Sequence, residues 1–249
     1  MIQTVIQPGE VDIWRVWLDQ GPEIIRDLGR VLSPQEVNRS NRFRYTRDRN
    51  RWIAVRGALR WILGTYLHVN PRGIRISLGE HGKPELQDYR GALAFNISHS
   101  DDLALIALAS ADRVGIDIEH MRDDAAIEEI WQRSFAFAEQ QYLCTLPQSQ
   151  RMRAFFRIWS RREALVKATG LGLSLAPESI IVGTHSESKM EITLSLGTEP
   201  SWWTLMDISS NNYAAALAIE GPLTSLKIVH FDAHVTTPTI VNELVANCI

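Results

Sequence analysis

Two acidic residues, Asp117 and Glu119, stand two positions apart in the apolar segment RVGIDIEH. In a β-strand, residues i and i+2 point to the same face, so both carboxylates would share one face and Ile116 and Ile118 the other. Neighbouring carboxylates raise each other's pKa, and a divalent cation relieves their repulsion. The spacing therefore favours a site for an ion such as Mg²⁺, which prefers oxygen ligands. Solvation of an exposed strand face is the simpler alternative for D-x-E alone.

A second pair of charged residues, Glu163 and Lys167, lies in the segment WSRREALVKATG. Residues four apart share one face of a helix, so this pair could be an ordinary surface ion pair, worth about 0.3–0.5 kcal/mol. Combined with Asp117 and Glu119, however, Glu163 would supply a third carboxylate. The expected metal ligands are then Asp117, Glu119 and Glu163.

Two further segments carry residues that could bind phosphate. In FNISHS, Ser98 and His99 follow a predicted strand and precede a turn signal. A histidine beside a phosphate can donate as an imidazolium, although a lone histidine is more often a satisfied loop or core residue. In HGKPEL, Pro84 stiffens the loop and would hold the amine of Lys83 in a fixed place.

Arginines are concentrated in one stretch of the first half: Arg39, Arg42, Arg44, Arg47, Arg49, Arg51, Arg56 and Arg60. A solvated helix face is the simplest interpretation of such a charge run. The formal net charge of −3 argues against a nucleic-acid-binding stripe. A local pocket for a polyphosphate remains a third interpretation, because it needs positive charge in one place alone.

The overall composition indicates a soluble globular protein. The chain has 249 residues, of which 45% are hydrophobic and 22% charged, enough for one large domain or two of ordinary size. We see no signal-peptide pattern at the N-terminus, and the longest apolar run, LALIALASA, is too short to span a bilayer. Two cysteines far apart in sequence favour a reduced, cytoplasmic protein.

Hydrophobic periodicity predicts a mixture of strands and helices. A capping box starts a helix at Ser33, Pro147 splits a long helical region, and Gly170 ends it. The predicted helices cover about 48–67 and 125–169. The predicted strands cover 11–18, 76–78, 92–98, 103–109 and 113–119, with further strand-like segments between 178 and 230.

Two pairs of segments repeat along the chain. RGALRWILGTYL at 56–67 resembles REALVKATGLGL at 162–173, and ISHSDDLALIALA at 97–109 resembles ISSNNYAAALAIE at 208–220. The pairs follow in the same order at nearly the same offset, which indicates an internal duplication.

The duplication predicts an α+β fold of two similar α/β halves, 1–112 and 113–249, related by a pseudo-twofold. In the helical repeat Glu163 aligns with Gly57 and Lys167 with Trp61, so the charged residues look like additions to the second half. A single site at the junction would then use different parts of each half.

Together, the motifs GKPEL, FNISHS, VGIDIEH and WSRREALVKATGLGL resemble, in order and spacing, the signature motifs of the Sfp-type 4′-phosphopantetheinyl transferases. The resemblance is strong over about residues 40 to 175. It implies a pseudodimer with coenzyme A and Mg²⁺ at the junction. It also implies an activity: transfer of 4′-phosphopantetheine from coenzyme A to a serine hydroxyl of an apo acyl or peptidyl carrier protein, with release of 3′,5′-ADP.

The same resemblance implies roles for individual residues. Glu163 matches both a magnesium ligand, with Asp117 and Glu119, and the proposed general base, and Lys167 matches the lysine that contacts the coenzyme A phosphates. His99 matches a residue at the 3′-phosphate, and which arginine holds the nucleotide stays open. The implied coenzyme A contacts are Arg47, Arg51, Arg56, Lys83, Pro84, Ser98, His99, Asp117 and Lys167.

Alternatives to this activity are another Mg²⁺-dependent phosphotransfer reaction and a non-catalytic module that binds a carrier protein or coenzyme A. We expect no nucleic-acid or membrane partner, and we expect a monomer because the duplicated chain already contains a complete site. Apolar residues such as Phe135 or Leu143 could dock the carrier, although core packing explains them equally well.

Overall fold

The computed structural model describes residues 5–79, 82–89, 91–110, 113–122, 127–172, 180–183, 188–195 and 200–232, and the backbone of 243–244. The helices are α1 (Pro22–Arg30), α2 (Pro34–Ser40), α3 (Thr46–Leu67), α4 (Ile127–Ser134), α5 (Phe137–Thr145) and α6 (Gln148–Thr169). The strands are β1 (Glu10–Trp17), β2 (Ile76–Leu78), β3 (Pro84–Leu86), β4 (Ala94–Ser100), β5 (Leu103–Ala109), β6 (Val114–His120), β7 (Lys189–Leu194), β8 (Ser201–Asp207), β9 (Tyr213–Glu220), β10 (Ser225–His230) and β11 (Glu243–Leu244).

Two larger sheets and one small hairpin organise the described residues. The five-stranded sheet has the order β11-β10-β1-β5-β4, the four-stranded sheet has the order β6-β9-β8-β7, and β2 pairs with β3. In both large sheets a first strand is followed by a 22-residue helix and a hairpin, giving the matching orders β1-β5-β4 and β6-β9-β8. The α+β fold with two similar halves is therefore confirmed.

The ends of the two long helices refine how the halves correspond. The C-cap residue is His68 in α3 and Gly170 in α6, and both adopt the left-handed conformation, with φ of 54° and 71°. Matching these ends places Glu163 opposite Trp61 rather than Gly57, and Lys167 opposite Thr65 rather than Trp61. The sequence alignment is thus one helical turn out, because an apolar pattern repeats nearly as well after four residues. The charged residues still have no charged counterpart in α3.

Two strands of the second half, β10 and β11, belong to the sheet of the first half. β10 runs parallel to β1, with Asp12 opposite Lys227 and Ile13 opposite Ile228, and β11 pairs with β10. The division of the chain at residue 112 stays a prediction. Any such division has to allow for these two crossing strands.

Side chains alternate along β1, so the two faces of this strand belong to two different hydrophobic cores. Trp14 and Val16 pack in a cluster with α3, whereas Val11 and Ile13 pack in a second cluster between the two sheets. A third cluster lies between α6 and the four-stranded sheet. Strands buried on both faces read as continuous apolar runs, and all seven residues of β5 are buried.

The predicted helical region after residue 125 consists of α4, α5 and α6, and Pro147 is the N-cap of α6. Phe135 and Leu143 are each 1% exposed, so they are core residues and the prediction that they dock a carrier is wrong. The Phe135 ring packs against Arg162, whose guanidinium donates to the buried Glu139 carboxylate. Residues 180–183, predicted as part of a strand, lie outside the named strands.

Candidate active site

The orientation of β6 is set by its contact with α6. A Cβ added at Gly115 would lie 2.0 Å from the carbonyl oxygen of Ala164 and 2.4 Å from the amide nitrogen of Ala168, so this strand face lies directly against the helix. Asp117 and Glu119 alternate with Ile116 and Ile118, which pack in the core between the sheets. The predicted facing of β6 is confirmed, and both acids share the face that Gly115 presents to α6.

Lys167 from α6 meets Asp117 from β6 and Ser98 from β4. Its Nζ donates to Asp117 Oδ1 at 2.7 Å and to Ser98 Oγ at 2.8 Å, while Ser98 Oγ donates to Asp117 Oδ1 at 3.0 Å. Three predicted site residues are therefore in direct contact, and Ser98 comes from the first half while the other two come from the second.

One carboxylate oxygen of Asp117 accepts no hydrogen bond from the described residues. The residue is 2% exposed, and its Oδ2 atom is buried without a hydrogen-bond partner among the described residues. A buried, unpaired carboxylate oxygen is costly unless a donor or a cation satisfies it. Oδ2 is thus available to a ligand that the protein itself does not provide.

Glu119 and Glu163 lie in the same electrostatic environment as Asp117. Burial raises the pKa of Glu163, and the negative charges of Asp117 and Glu119 raise it further, opposed by Lys167. Burial and the charge of Asp117 likewise raise the pKa of Glu119, which accepts hydrogen bonds from Ser100 and from the Trp159 side chain. Three carboxylates therefore share a region in which Lys167 is the cation hydrogen-bonded to Asp117.

Three polar residues of β4 line the strand that carries these acids. The side-chain oxygens of Asn96, Ser98 and Ser100 accept hydrogen bonds from the backbone amides of β6. Sequence reasoning assigned a role to Ser98 but missed Asn96, Ser100 and Trp159. The signal for the first two was available, because N-x-S-x-S in FNISHS has the same period of two as D-x-E.

His99 points away from this row, because residues alternate along β4. Partial desolvation lowers the pKa of its imidazole, and the positive charges of Lys167 and Arg51 lower it further. The neutral ring is therefore favoured at neutral pH. The imidazolium expected from the sequence would need a bound anion to stabilise it.

Arg51 holds the turn that follows β4. Its Nε and Nη2 donate to the two carboxylate oxygens of Asp19 at 2.6 and 2.7 Å, and its Nη1 donates to the backbone oxygen of Asp101 at 2.7 Å. The hydrogen bond from Arg51 is the main reason that the pKa of Asp19 falls to about 2. Arg47 is exposed and reaches the same carboxylate at 3.3 Å.

A basic cavity of about 720 Å³ lies between α2, α3 and the β2–β3 hairpin. Arg56 donates from Nη2 to Glu36 Oε1 at 2.8 Å, and Glu36 is the one acidic residue among the described residues that line the cavity. Pro84 lies on its wall. Five arginines line it: Arg39, Arg56, Arg60, Arg72 and Arg75. This excess of guanidinium groups suits a polyphosphate.

Lys83 extends from the hairpin to the second half. Its Nζ donates to the carbonyl oxygen of Val114 at 2.9 Å and to that of Ala168 at 3.3 Å, at the start of β6 and near the end of α6. Burial lowers the pKa of its ammonium to about 8. The described contacts of this ammonium are thus to the backbone of the second half.

A second cavity, of about 530 Å³, opens beside the carboxylates. Ser100, Glu119 and His120 form part of its wall, and an apolar part comes from Phe155, Phe156 and Trp159 among others. A substrate with both polar and apolar parts could approach Glu119 through this cavity.

The magnesium site stays a prediction. Within the described ranges, no group of three or more His, Cys, Asp or Glu side chains is arranged to hold a metal ion. The residues nevertheless fit one, because Asp117 Oδ2 is unsatisfied and because neighbouring negative charges raise the pKa of both glutamates.

Among the helices in the described part of the chain, none is long and apolar enough to cross a membrane.

Comparison with known proteins supports the resemblance over most of the chain. The sequence profile of the 4′-phosphopantetheinyl transferase superfamily matches residues 113–218, and that of the 4′-phosphopantetheinyl transferase N-terminal region matches residues 17–111. The 4′-phosphopantetheinyl transferase HetI of Nostoc sp. is 39% identical over 214 residues, which cover 85% of this chain and 88% of HetI. The 4′-phosphopantetheinyl transferase Sfp of Bacillus subtilis is 30% identical over 171 residues, 69% of this chain and 75% of Sfp.

A more distant relative is the L-aminoadipate-semialdehyde dehydrogenase-phosphopantetheinyl transferase of Xenopus laevis, which is 28% identical over 213 residues, 76% of this chain and 68% of the relative. The chain therefore belongs to the 4′-phosphopantetheinyl transferase superfamily and is an enzyme that transfers the 4′-phosphopantetheinyl group. The family expected from the motifs is confirmed.

Proposed function

We propose that this enzyme transfers 4′-phosphopantetheine from coenzyme A to a serine hydroxyl of an apo acyl or peptidyl carrier protein, releasing 3′,5′-ADP. One observation carries the assignment of residues: Lys167, Asp117 and Ser98 meet where α6 and β6 of the second half adjoin β4 of the first. The acids suited to a cation come from the second half, and the arginines suited to a nucleotide come from the first.

The nucleotide end of coenzyme A binds on the first half. The cavity lined by Arg56 and Pro84 supports this placement, because the described residues of its wall include five arginines and one acidic residue, Glu36. One of these arginines, Arg75, is also paired with Asp88. Arg51 and His99 lie nearer the junction, where the charge of Arg51 already lowers the pKa of His99. A bound phosphate would restore the imidazolium, so His99 can follow the charge of its ligand.

Asp117, Glu119 and Glu163 would hold the magnesium ion, whose positive charge would act on the pyrophosphate oxygens. The unpaired Asp117 Oδ2 and the raised pKa of both glutamates support this assignment, because neighbouring carboxylates repel each other and a cation would relieve that repulsion.

Lys167 and Glu163 are the residues of the protein that act directly in the transfer reaction. The serine oxygen forms a bond to the β-phosphorus of the pyrophosphate, and the bond from that phosphorus to the bridging oxygen breaks, so that 3′,5′-ADP leaves with its electron pair. The ammonium of Lys167 stabilises the charge that builds on the phosphate oxygens. Glu163 accepts the serine proton, and its raised pKa brings its basicity closer to that task.

The carrier approaches from the side of the second cavity. Glu119 and the apolar side chains of Phe155 and Phe156 all line this cavity, which supports entry of the serine together with the pantetheine arm. Phe137, 73% exposed at the start of α5, offers the apolar contact that the buried Phe135 and Leu143 cannot.

A single chain carries all these groups, which supports a monomer. Action in the cytoplasm remains a prediction.

The test is incubation with coenzyme A, Mg²⁺ and a panel of apo carrier proteins, read by intact-protein mass. We expect one carrier at least to gain a single phosphopantetheine, and Glu163→Gln and Asp117→Asn to lower the rate by about 100-fold or more. Glu129→Gln, at a surface ion pair with Arg133, is the matched control and should keep the wild-type rate.

Two results would contradict the proposal. Modification that survives both active-site substitutions would reject the assigned acids. Release of inorganic phosphate from a nucleotide, or tight carrier binding without any modified carrier, would instead favour the alternative activities.

A further inference from the structure

Strands β4 and β6 are the adjoining edges of two different sheets. β4 ends the five-stranded sheet and β6 ends the four-stranded sheet, and the two pack against each other without belonging to one hydrogen-bonded ladder. An edge strand presents backbone amides that need acceptors. In this protein the side chains of β4 supply acceptors for β6.

The arrangement repeats with a period of two residues. Asn96 Oδ1 accepts from Ile116 N at 2.9 Å, Ser98 Oγ from Ile118 N at 3.3 Å and Ser100 Oγ from His120 N at 3.0 Å. Each acceptor lies 20 residues before its donor. The matched spacing keeps the two strands in a fixed register.

Each serine of this row also contacts one acid of β6. Ser98 Oγ donates to Asp117 Oδ1 at 3.0 Å, and Ser100 Oγ donates to Glu119 Oε2 at 3.2 Å. One hydroxyl thus binds both an acid and the amide of the residue after it. Asn96 lies opposite Gly115, where β6 has no side chain, so the row has a third backbone contact without an acid.

Ser98 and Ser100 differ in what else they touch. Ser98 also accepts from Lys167, so its loss would disturb several charged groups at once. The hydroxyl of Ser100 has Glu119 and the His120 amide as its described partners. A substitution at Ser100 therefore reports on Glu119 more cleanly.

Glu119 needs such a contact because its side chain is flexible. A glutamate has three rotatable bonds with which to turn its carboxylate away. Ser100 from β4 and Trp159 from α6 both donate to this carboxylate. These two donors come from different halves, so the direction of the carboxylate depends on how the halves fit together.

We propose that Ser100 is a positioning residue that orients the Glu119 carboxylate toward the divalent cation. The inference rests on the proposed function, because it takes Glu119 as a ligand of that ion. Ser100 acts through Glu119 and need not touch the substrate. Donors to metal-bound carboxylates typically change metal affinity by about 10–100-fold when removed.

The experiment measures binding of Mn²⁺ alone by electron paramagnetic resonance on the purified full chain. Ser100→Thr keeps the hydroxyl. Ser100→Val has the same shape as the Thr variant but lacks the hydroxyl. We expect Mn²⁺ to bind about 10-fold or more weakly to the Val variant and within about 3-fold of wild type to the Thr variant. Ser225→Ala, which removes an exposed serine hydroxyl from β10, should match wild type.

The Mg²⁺ dependence of carrier modification provides the second measurement. For Ser100→Val we expect the Mg²⁺ concentration at half-maximal rate to rise about 10-fold, with the rate at saturating Mg²⁺ within about 3-fold of wild type. If the rate is lower at every Mg²⁺ concentration, saturation included, the substitution has caused a general loss of structure. That result would overturn the proposal. Circular dichroism on the same samples shows whether the Val and Thr variants fold alike.

The outcomes separate this inference from the proposed function. If wild type binds Mn²⁺ and Ser100→Val binds it equally well, the role of Ser100 is wrong while the metal site stands. If wild type itself shows no Mn²⁺ binding, the metal site fails and the inference fails with it. Equal weakening in the Thr and Val variants would also reject the role of the hydroxyl.

Discussion

The carboxylate of Glu163 keeps its proton to a higher pH than a glutamate in water, because it is buried beside Asp117 and Glu119. In the window between the unfolded and folded pKa values the folded state binds more protons than the unfolded state. The free energy of unfolding therefore falls as the pH rises through that window. The ionised form of Glu163 lowers the stability of the fold, but the reaction requires it. Active sites commonly contain such destabilising groups.

Glu163→Gln should accordingly stabilise the fold while it removes activity. In the absence of divalent ions we expect a gain on the order of 1 kcal/mol at neutral pH, seen as a rise of about 2–4 °C in the melting temperature. Differential scanning calorimetry at pH 7 measures the change. Glu129→Gln at the exposed surface should show no such rise, and a lower melting temperature for Glu163→Gln would contradict the electrostatic argument.

Lys83 has the opposite dependence on pH. Burial lowers the pKa of its ammonium to about 8 from an ordinary value of 10.5, so between these values the unfolded state binds more protons. This group therefore makes the free energy of unfolding rise as the pH increases from about 8 to 10.5. We expect Lys83→Met to remove that part of the slope, measured by urea unfolding at pH 7, 8.5 and 10. Parallel pH dependences for the two proteins would show that Lys83 is not desolvated.

Among the elements, the contact of β6 with α6 is the closest approach in the site. Gly115 has no room for a side chain, whereas Gly29 in α1 would place a Cβ at an ordinary 3.9 Å from Ile53. This contact brings the strand that carries Asp117 and Glu119 to the helix that carries Glu163 and Lys167. The strand and the helix can approach this closely because position 115 is a glycine.

Gly115→Ala should therefore destabilise the protein by about 3 kcal/mol or more, because backbone atoms of α6 would have to move. Gly29→Ala is the matched control and should be neutral or stabilising by up to about 1 kcal/mol, since alanine favours a helix. Urea unfolding at equilibrium compares the two. Equal stability of the two variants would mean that β6 and α6 are not held at this distance.

For the molecule as a whole, the two halves are joined by more than one contact. β10 pairs with β1 of the first half, side chains of β4 bind the backbone of β6, and an apolar cluster fills the space between the sheets. We therefore expect the halves to unfold together, although the sequence shows a duplication. Independent domains would unfold separately.

The test uses two fully buried leucines, Leu63 in α3 and Leu165 in α6. Each Leu→Ala substitution should lower the free energy of unfolding by about 2–5 kcal/mol and leave one cooperative transition, with circular dichroism and tryptophan fluorescence coinciding. The control Ile181→Ala, at a residue 54% exposed, should change stability by less than about 0.5 kcal/mol. A second transition in either leucine variant would show that the halves are independent.

Several features of this enzyme follow from local periodicity and were predictable from the sequence. The period of two in a strand puts Asp117 and Glu119 on one face, and the spacing of four in a helix puts Glu163 and Lys167 on another. The motifs identified the family, and the repeats predicted two similar halves. These conclusions need no knowledge of long-range packing, because each depends on patterns that can be recognised in the sequence itself.

The tertiary structure alone decided which faces meet and which donors they find. Lys167 reaches Asp117 across 50 positions of the chain, Ser100 reaches Glu119 across 19, and Lys83 reaches the end of α6 across 85. The crossing of β10 and the burial of Phe135 and Leu143 also depend on how the halves pack. Local periodicity determines the direction of a side chain relative to its own element. Its partner depends on the position of a second element, which is set by the packing of the whole core.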